Sequence, residues 1–333
     1  MHDKPLLGKK ILFFCPAFFG YELKIRDKMI DLGADVSYYN ERPIEKNYQK
    51  ALLKINPNIL SRQTEDYFFN ILNEVKNIAF DYVFFLKCEM PTEHILEAYR
   101  LAFPKSIFTL YMWDSLSNVV DIRKKLPYFD KVYSFDLADS KSHKDIFFRP
   151  LFFADDFKRT FDSKVTYRYD VSFLGTIHSD RYKIIKQVQA FLEANRKSYY
   201  FFNFLQSRFI YSFYCLTKAE FRGTKASDFD FIKLSSSDIA EIVDESKAVL
   251  DIQHPKQTGL TMRTIEMIGM NKKIITTNAA IKEYDFYNPT NICVIGRDDI
   301  TIDPEFFETT YEPLSTEIYD KYSLRQWVLD VLK

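Results

Sequence analysis

Between Ser246 and Asn278 the residues run in the order apolar strand, polar loop, amphipathic helix, apolar strand, and few folds accept that order. Lys247 to Ile252 reads as a buried strand, Gln253 to Gly259 as a loop, Leu260 to Met270 as a helix and Lys273 to Thr277 as a second strand. Such a βαβ unit needs a parallel sheet and sets its loop at the carboxyl ends of the strands, where open α/β proteins bind ligands. Gly259 lets a ligand approach the backbone without a Cβ in the way. The N–H groups of Leu260, Thr261 and Met262 then open a helix whose dipole favours an anion, which predicts a phosphate seat with His254 in the same loop.

Arg263 and Glu266 stand three apart on one stripe of that helix, while Met262, Ile265, Met267 and Ile268 supply positions that can pack on the sheet. An arginine suits a diphosphate, and a glutamate accepts hydrogen bonds from the vicinal hydroxyls of a ribose. The competing reading is an exposed i,i+3 ion pair with no ligand, a common and weak arrangement.

The run from Gly259 to Gly269, followed by Ile274 to Asn278, resembles the nucleotide-binding segment of GT-B glycosyltransferases, in particular the bacterial lipopolysaccharide-biosynthesis and CgeB-like group. Trp113 to Ser115, Phe129 to Asp136 and Arg149 to Leu151 resemble the same group. The resemblance implies an α/β fold of two Rossmann-like parallel-sheet domains facing across a cleft, with a C-terminal helix returning to the first. It also implies that Glu266 holds the ribose of a nucleotide sugar. Thr258 stands where retaining members carry a second glutamate, so the stereochemical class stays open.

A chain of 333 residues, 47% hydrophobic, is long enough for the two domains the fold requires. Lys+Arg 46 against Asp+Glu 46 leaves a formal net charge of zero, which argues against a nucleic-acid partner. Cys15, Cys88, Cys215 and Cys293 show no CxxC spacing, which fits a reducing cytoplasm and argues against a zinc knuckle. Pro16 interrupts the apolar run Ile11 to Cys15, so that run reads as a first strand rather than a signal peptide, and no run reaches the ~20 residues of a membrane span.

The remaining elements follow in order. After the first strand, Pro16 to Gly20 leads to a helix from Tyr21 to Leu32 and a strand from Ala34 to Tyr39, without GxGxxG. Asn40 to Pro43 either touches an acceptor or ends the strand. A helical pattern runs from Asn47 to Ala79, then a strand from Asp81 to Leu86 ends in the charged Lys87 and Glu89. A helix from Thr92 to Phe103 precedes the strand Ser106 to Met112, and Asp114 follows as the candidate general base of an inverting transfer or, equally, as a helix cap.

The expected organisation is an acceptor domain at 1–153, a linker at 154–168, a donor domain at 169–313 and a returning helix at 314–333. Gly175, Thr176, His178 and Arg181 follow the donor domain's first strand and repeat the logic of a glycine turn, hydroxyls and a cation at a helix start. Tyr199 to Phe221 is dense in aromatics with Arg208, Lys218 and Arg222 between them. It reads either as a strand with a buried helix or as a membrane- or glycolipid-facing surface. Asp228 and Asp230 spell DxD too late in the chain to predict a metal site.

These residues point to a metal-independent glycosyltransferase that needs no cofactor beyond its co-substrate, a nucleotide sugar, and acts on a bacterial surface glycan or lipid-linked acceptor. Arg181, Arg263 and the amides of Leu260 and Thr261 would stabilise the leaving diphosphate, and Asp114 would deprotonate the acceptor. The alternatives are a non-catalytic nucleotide-sugar-binding or scaffolding protein and a nucleotide-sugar epimerase of the same fold. The expected location is the cytoplasm, with peripheral contact at the inner face of the plasma membrane if the aromatic segment faces lipid.

Overall fold

The computed structural model describes residues 3–42, 61–255 and 258–333. Pro43, the part of the helical pattern from Asn47 to Leu60, and Lys256 and Gln257 of the polar loop lie outside them. The chain forms two compact units, Met1–Leu151 with Leu324–Lys333, and Phe152–Ser323.

The first unit is built on six strands, β1 (Lys10–Cys15), β2 (Asp35–Asn40), β3 (Tyr82–Leu86), β4 (Ile107–Met112), β5 (Lys131–Ser134) and β6 (Ile146–Phe148). They pair in the order β2-β1-β3-β4-β5-β6, every pair parallel. A parallel sheet covered on both faces needs apolar residues at successive positions, and Ile11 to Cys15 and Val83 to Leu86 are all fully buried. Phe14 stacks on Phe85 at 4.6 Å and Phe13 on Phe84 at 5.1 Å, so the aromatic run of β1 lines up with that of β3. The helix Glu93–Ala102 buries Ile95, Leu96 and Tyr99 against this sheet, and the Thr92 hydroxyl caps it by accepting from the Ile95 amide at 3.4 Å.

The last helix, Leu324–Val331, belongs to this first unit. Its Trp327 is fully buried, edge-on to Tyr111 at 4.7 Å, and Asp330 pairs with the buried Arg149 at 3.0 Å. The single helix expected from Leu314 to Leu332 is two, Thr316–Lys321 and Leu324–Val331. The break falls at Tyr322 and Ser323, where the Tyr322 carbonyl accepts from the Phe153 amide at 2.8 Å and its hydroxyl bonds Asp285 at 2.6 Å.

The second unit begins at Phe152 and so takes in the stretch 154–168 expected as a linker. That stretch is tied down: the Arg159 amide donates to the Gly269 carbonyl at 2.9 Å, and the Arg159 side chain pairs with Asp244. Five strands, β7 (Tyr169–Thr176), β8 (Tyr199–Phe204), β9 (Ser246–Asp251), β10 (Lys273–Thr276) and β11 (Ile292–Val294), pair in the order β11-β10-β9-β7-β8, again all parallel. Gly269 is required by packing, since a Cβ there would come within 2.5 Å of the Phe153 ring.

Two local expectations differ from the structure. The helix expected from Leu260 spans Met262–Gly269, because the Thr261 hydroxyl accepts from the Thr264 amide at 3.2 Å and so fixes the start two residues later. The aromatic segment Tyr199 to Phe221 is a strand, β8, followed by the helix Arg208–Thr217, but no residue of that helix is buried. The DxD tripeptide is explained locally, since Asp228 accepts from the Lys225 amide at 2.8 Å and Asp230 bridges to Phe204.

Candidate functional site

In each sheet one strand has its neighbours added on opposite sides in succession, and the two loops leaving that point diverge to leave a crevice at the carboxyl edge. In the second unit this switch point lies between β7 and β9. The donor-side residues predicted from sequence lie on two segments that leave it, one at the end of β7 and one after β9.

Arg181, the first residue of the helix Arg181–Ala194, spans the switch. Its Nη1 donates to the Thr176 carbonyl at the end of β7 at 2.8 Å, and its Nη2 donates to the Ile252 carbonyl just past β9. Burial pushes the guanidinium down from its ordinary value, with Asp251 opposing. Gly175 lies in β7 beside it, where a Cβ would meet the Phe173 ring at 2.9 Å and Arg181 Nη1 at 3.5 Å. The glycine thus makes room for the Phe173 ring rather than for a turn, with the arginine at ordinary contact distance.

Asp251, the last residue of β9, is buried and receives the hydroxyl of Thr264, which in turn meets the Thr261 hydroxyl at 3.1 Å. Burial raises its pKa, while the Thr264 hydroxyl, Arg181 and Arg263 pull the other way. Asp251 therefore links both predicted arginines and the helix cap. Sequence reasoning passed over it as part of an apolar strand, although a carboxylate one residue before the end of such a strand was a readable signal.

Arg263 and Glu266 form an ion pair at 3.7 Å, with side chains 27% and 5% exposed. The reading as an exposed surface pair is therefore wrong in one respect, because Glu266 is buried. Arg263 Nη1 and Arg181 Nε are buried without a hydrogen-bond partner among the described residues. A donor of this kind costs ~1–3 kcal/mol when left unsatisfied, so two of them at one sheet edge suit an oxygen-rich anion.

The loop around them is held from behind. Arg297 pairs with Asp180 at 2.8 Å and donates to the Gln253 carbonyl at 2.7 Å, neither of which was foreseen. The carbonyls of Thr258 and Gly259 both accept from Asn278 at 3.4 Å, and Leu260 is buried. His178 and His254 lie with ring centroids 5.6 Å apart. Burial, then the charge of Arg181, lowers the His178 pKa to about 4, so its imidazole is neutral at pH 7.

The first unit has its switch point between β1 and β3. Lys87, directly after β3, pairs with Asp114 at 3.1 Å and with Glu89 at 3.4 Å, and Glu89 also receives Arg42. Asp114 accepts from Asn118 at 3.1 Å. It does not cap the short turn Leu116–Asn118, whose first amide donates to Asp139 at 3.1 Å instead. Beneath this network Glu41 is fully buried and accepts from the amides of Cys88, Glu89 and Met90, while Lys125 donates to the carbonyls of Cys88 and Glu89 at 3.0 Å. Burial raises the Glu41 pKa to about 7, with the Met90 and Glu89 amides opposing. Glu41 lay within the stretch read only as touching an acceptor or ending β2.

No protein-family profile and no curated protein sequence matches this chain. Solved structures do. HepE of Anabaena in complex with UDP-glucose aligns at a TM-score of 0.59 and 10% identity over 97% of this chain and 99% of that one. HepE with UDP and glucose aligns at 0.58 and 10% identity over 97% and 98%. The N-terminal domain of Candida albicans trehalose-6-phosphate phosphatase aligns at 0.54 and 10% identity over 97% and 94%. With two all-parallel sheets, one per unit, and likeness along nearly its whole length, this chain has the two-domain Rossmann-like fold of the GT-B type.

Proposed function

We propose that the second unit binds a nucleoside-diphosphate sugar at the β7/β9 edge and that the protein transfers the sugar to a glycan or lipid-linked acceptor without a metal ion. The observation that carries this reading is the pair of buried guanidinium N–H groups of Arg181 and Arg263 at the switch point that have no partner among the described residues. When the bond between the sugar's anomeric carbon and the diphosphate oxygen breaks, negative charge builds on the diphosphate. Donors already in place and shielded from water stabilise that charge without reorganising. Glu266 accepts from the ribose hydroxyls, and neutral His178 is able to hydrogen-bond the sugar or a phosphate. In the first unit Asp114 takes the acceptor's proton. HepE, with the same fold, binds UDP-glucose, which makes uridine nucleotides the first ligands to try.

Thermal unfolding with UDP and UDP-glucose tests the binding step. A ligand at a hundred times its dissociation constant stabilises the fold by ~2.7 kcal/mol, and Arg263→Ala, checked for folding by circular dichroism, is expected to lose that gain. An undiminished shift in the variant overturns the assignment of Arg263.

The contacts of Asp114 favour a second reading, because Lys87 at 3.1 Å and Asn118 at 3.1 Å already engage its two oxygens, one each, and an acceptor hydroxyl would have to displace one of them. In that reading the protein holds a nucleotide sugar without transferring it. A protein that binds UDP-glucose yet releases no UDP from it, even slowly and with acceptor glycans present, supports the second reading over the first.

A further inference from the structure

The helix Arg208–Thr217 has apolar residues on both faces, and only one of them is used inside the unit. Ile210, Tyr211, Tyr214 and Cys215 pack against the core. On the outer face Phe209, Phe213 and Leu216 are spaced i, i+4, i+7 and are 81%, 53% and 87% exposed. Ile232, 84% exposed, lies in the segment whose Phe231 ring sits 5.3 Å beneath the Arg208 guanidinium. A helix apolar all round is normally enclosed, and large exposed apolar side chains gathered on one stripe mark a surface that meets something.

The charge around this stripe says what it meets. Arg208, Arg222, Lys225 and Lys233 are all exposed. Between Ser207 and Leu234 there are five cations and three carboxylates in a chain whose overall net charge is zero. Of those carboxylates Asp228 is exposed and Glu220 and Asp230 are half-buried, and of the cations Lys218 is half-buried, which leaves four exposed cations against one exposed carboxylate. Apolar anchors on one helical face within a basic surround match the interfacial zone of a bilayer, where aromatic and aliphatic side chains enter the headgroup layer and cations meet anionic headgroups.

We infer that the outer face of the helix Arg208–Thr217 docks on an anionic lipid bilayer. The helix follows β8 at the same carboxyl edge as the arginine site, and Lys218 at its end donates to the Ser179 carbonyl at 2.7 Å. Docking would thus bring the loop carrying His178 near the membrane surface, where a lipid-linked acceptor resides. The docking inference rests on the exposed side chains and not on nucleotide binding.

Co-sedimentation with phosphatidylcholine vesicles, with and without phosphatidylglycerol, tests it. The wild-type protein is expected to sediment with the phosphatidylglycerol vesicles at low salt and to be released by high salt. The combined variant Phe209→Ser, Phe213→Ser, Leu216→Ser is expected to stay in the supernatant with an unchanged melting temperature. Lys225→Ala alone should lower partitioning about fivefold. The inference is overturned if the wild-type protein does not sediment, if the triple variant sediments equally well, or if light scattering shows a wild-type dimer that the triple variant converts to monomer. Retention of UDP binding by the triple variant keeps failure here separate from failure of the nucleotide site.

Discussion

The two sheets break their strand order in the same way, between β1 and β3 and between β7 and β9, yet their carboxyl edges are finished differently. At the first edge the chain satisfies itself. Three successive amides from Cys88 to Met90 make an anion-binding concavity, and Glu41 of the same chain fills it. Lys87 and Cys88 adopt left-handed backbone, with φ of 83° and 55°, at a cost of ~1–3 kcal/mol each that the Glu41 and Lys125 contacts offset. At the second edge Arg181 is anchored to two strand ends, but it and Arg263 each keep a buried N–H with no partner among the described residues. Similar topology thus yields one edge whose amides are filled by the chain's own carboxyl group and one whose guanidinium donors have no partner among the described residues, where the proposed diphosphate would sit.

Loss of Asp114, the group at the first edge proposed as the base, should have the greatest consequence. Asp114→Asn should lower the rate of sugar transfer by ~10²–10⁴, the usual contribution of a general base, while leaving the UDP-induced thermal shift intact. Equal transfer rates in steady-state assays of wild type and variant would remove Asp114 from the mechanism.

Glu41 gives the next effect, in stability. Its folded-state pKa of about 7 lies above the ordinary 4.5, so the stabilisation is complete below pH 4.5 and is lost as pH rises through about 7. A difference of this size is worth ~3 kcal/mol. Denaturant unfolding at pH 5 and pH 8 should show the first unit more stable at the lower pH, and Glu41→Gln should flatten the difference. A pH-independent wild type would mean that the three amides keep Glu41 ionised throughout.

The smallest effect sharpens the second edge. Thr261→Ala removes the cap of Met262–Gly269 and should cost ~1 kcal/mol in thermal unfolding, with a weaker response to UDP because Thr261 also supports the Thr264 and Asp251 contacts that lie between the arginines. Destabilisation without any change in the UDP response would make the cap purely structural.

Much of this architecture was legible in the chain. The unbroken apolar runs of Ile11 to Cys15 and Val83 to Leu86 read as strands covered on both faces, and the βαβ order around Gly259 put the helix of Arg263 and Glu266 directly after β9, as in the structure. What sequence could not supply was long-range pairing. Glu41 meets Cys88, Arg297 meets Asp180 and Lys218 meets Ser179 across separations that no local period encodes. The start of the helix at Met262 turned on one hydroxyl contact, and the outward face of Arg208–Thr217 turned on how wide a strip of that helix the core covers. Apolar composition alone left open whether that helix is buried or faces a lipid surface.

A crystal structure of the protein with UDP is the most direct test of the central claim. The account predicts diphosphate oxygens within hydrogen-bond distance of both Arg181 and Arg263, with the ribose hydroxyls on Glu266. A nucleotide bound away from the β7/β9 edge, with those guanidinium groups unchanged, would contradict it.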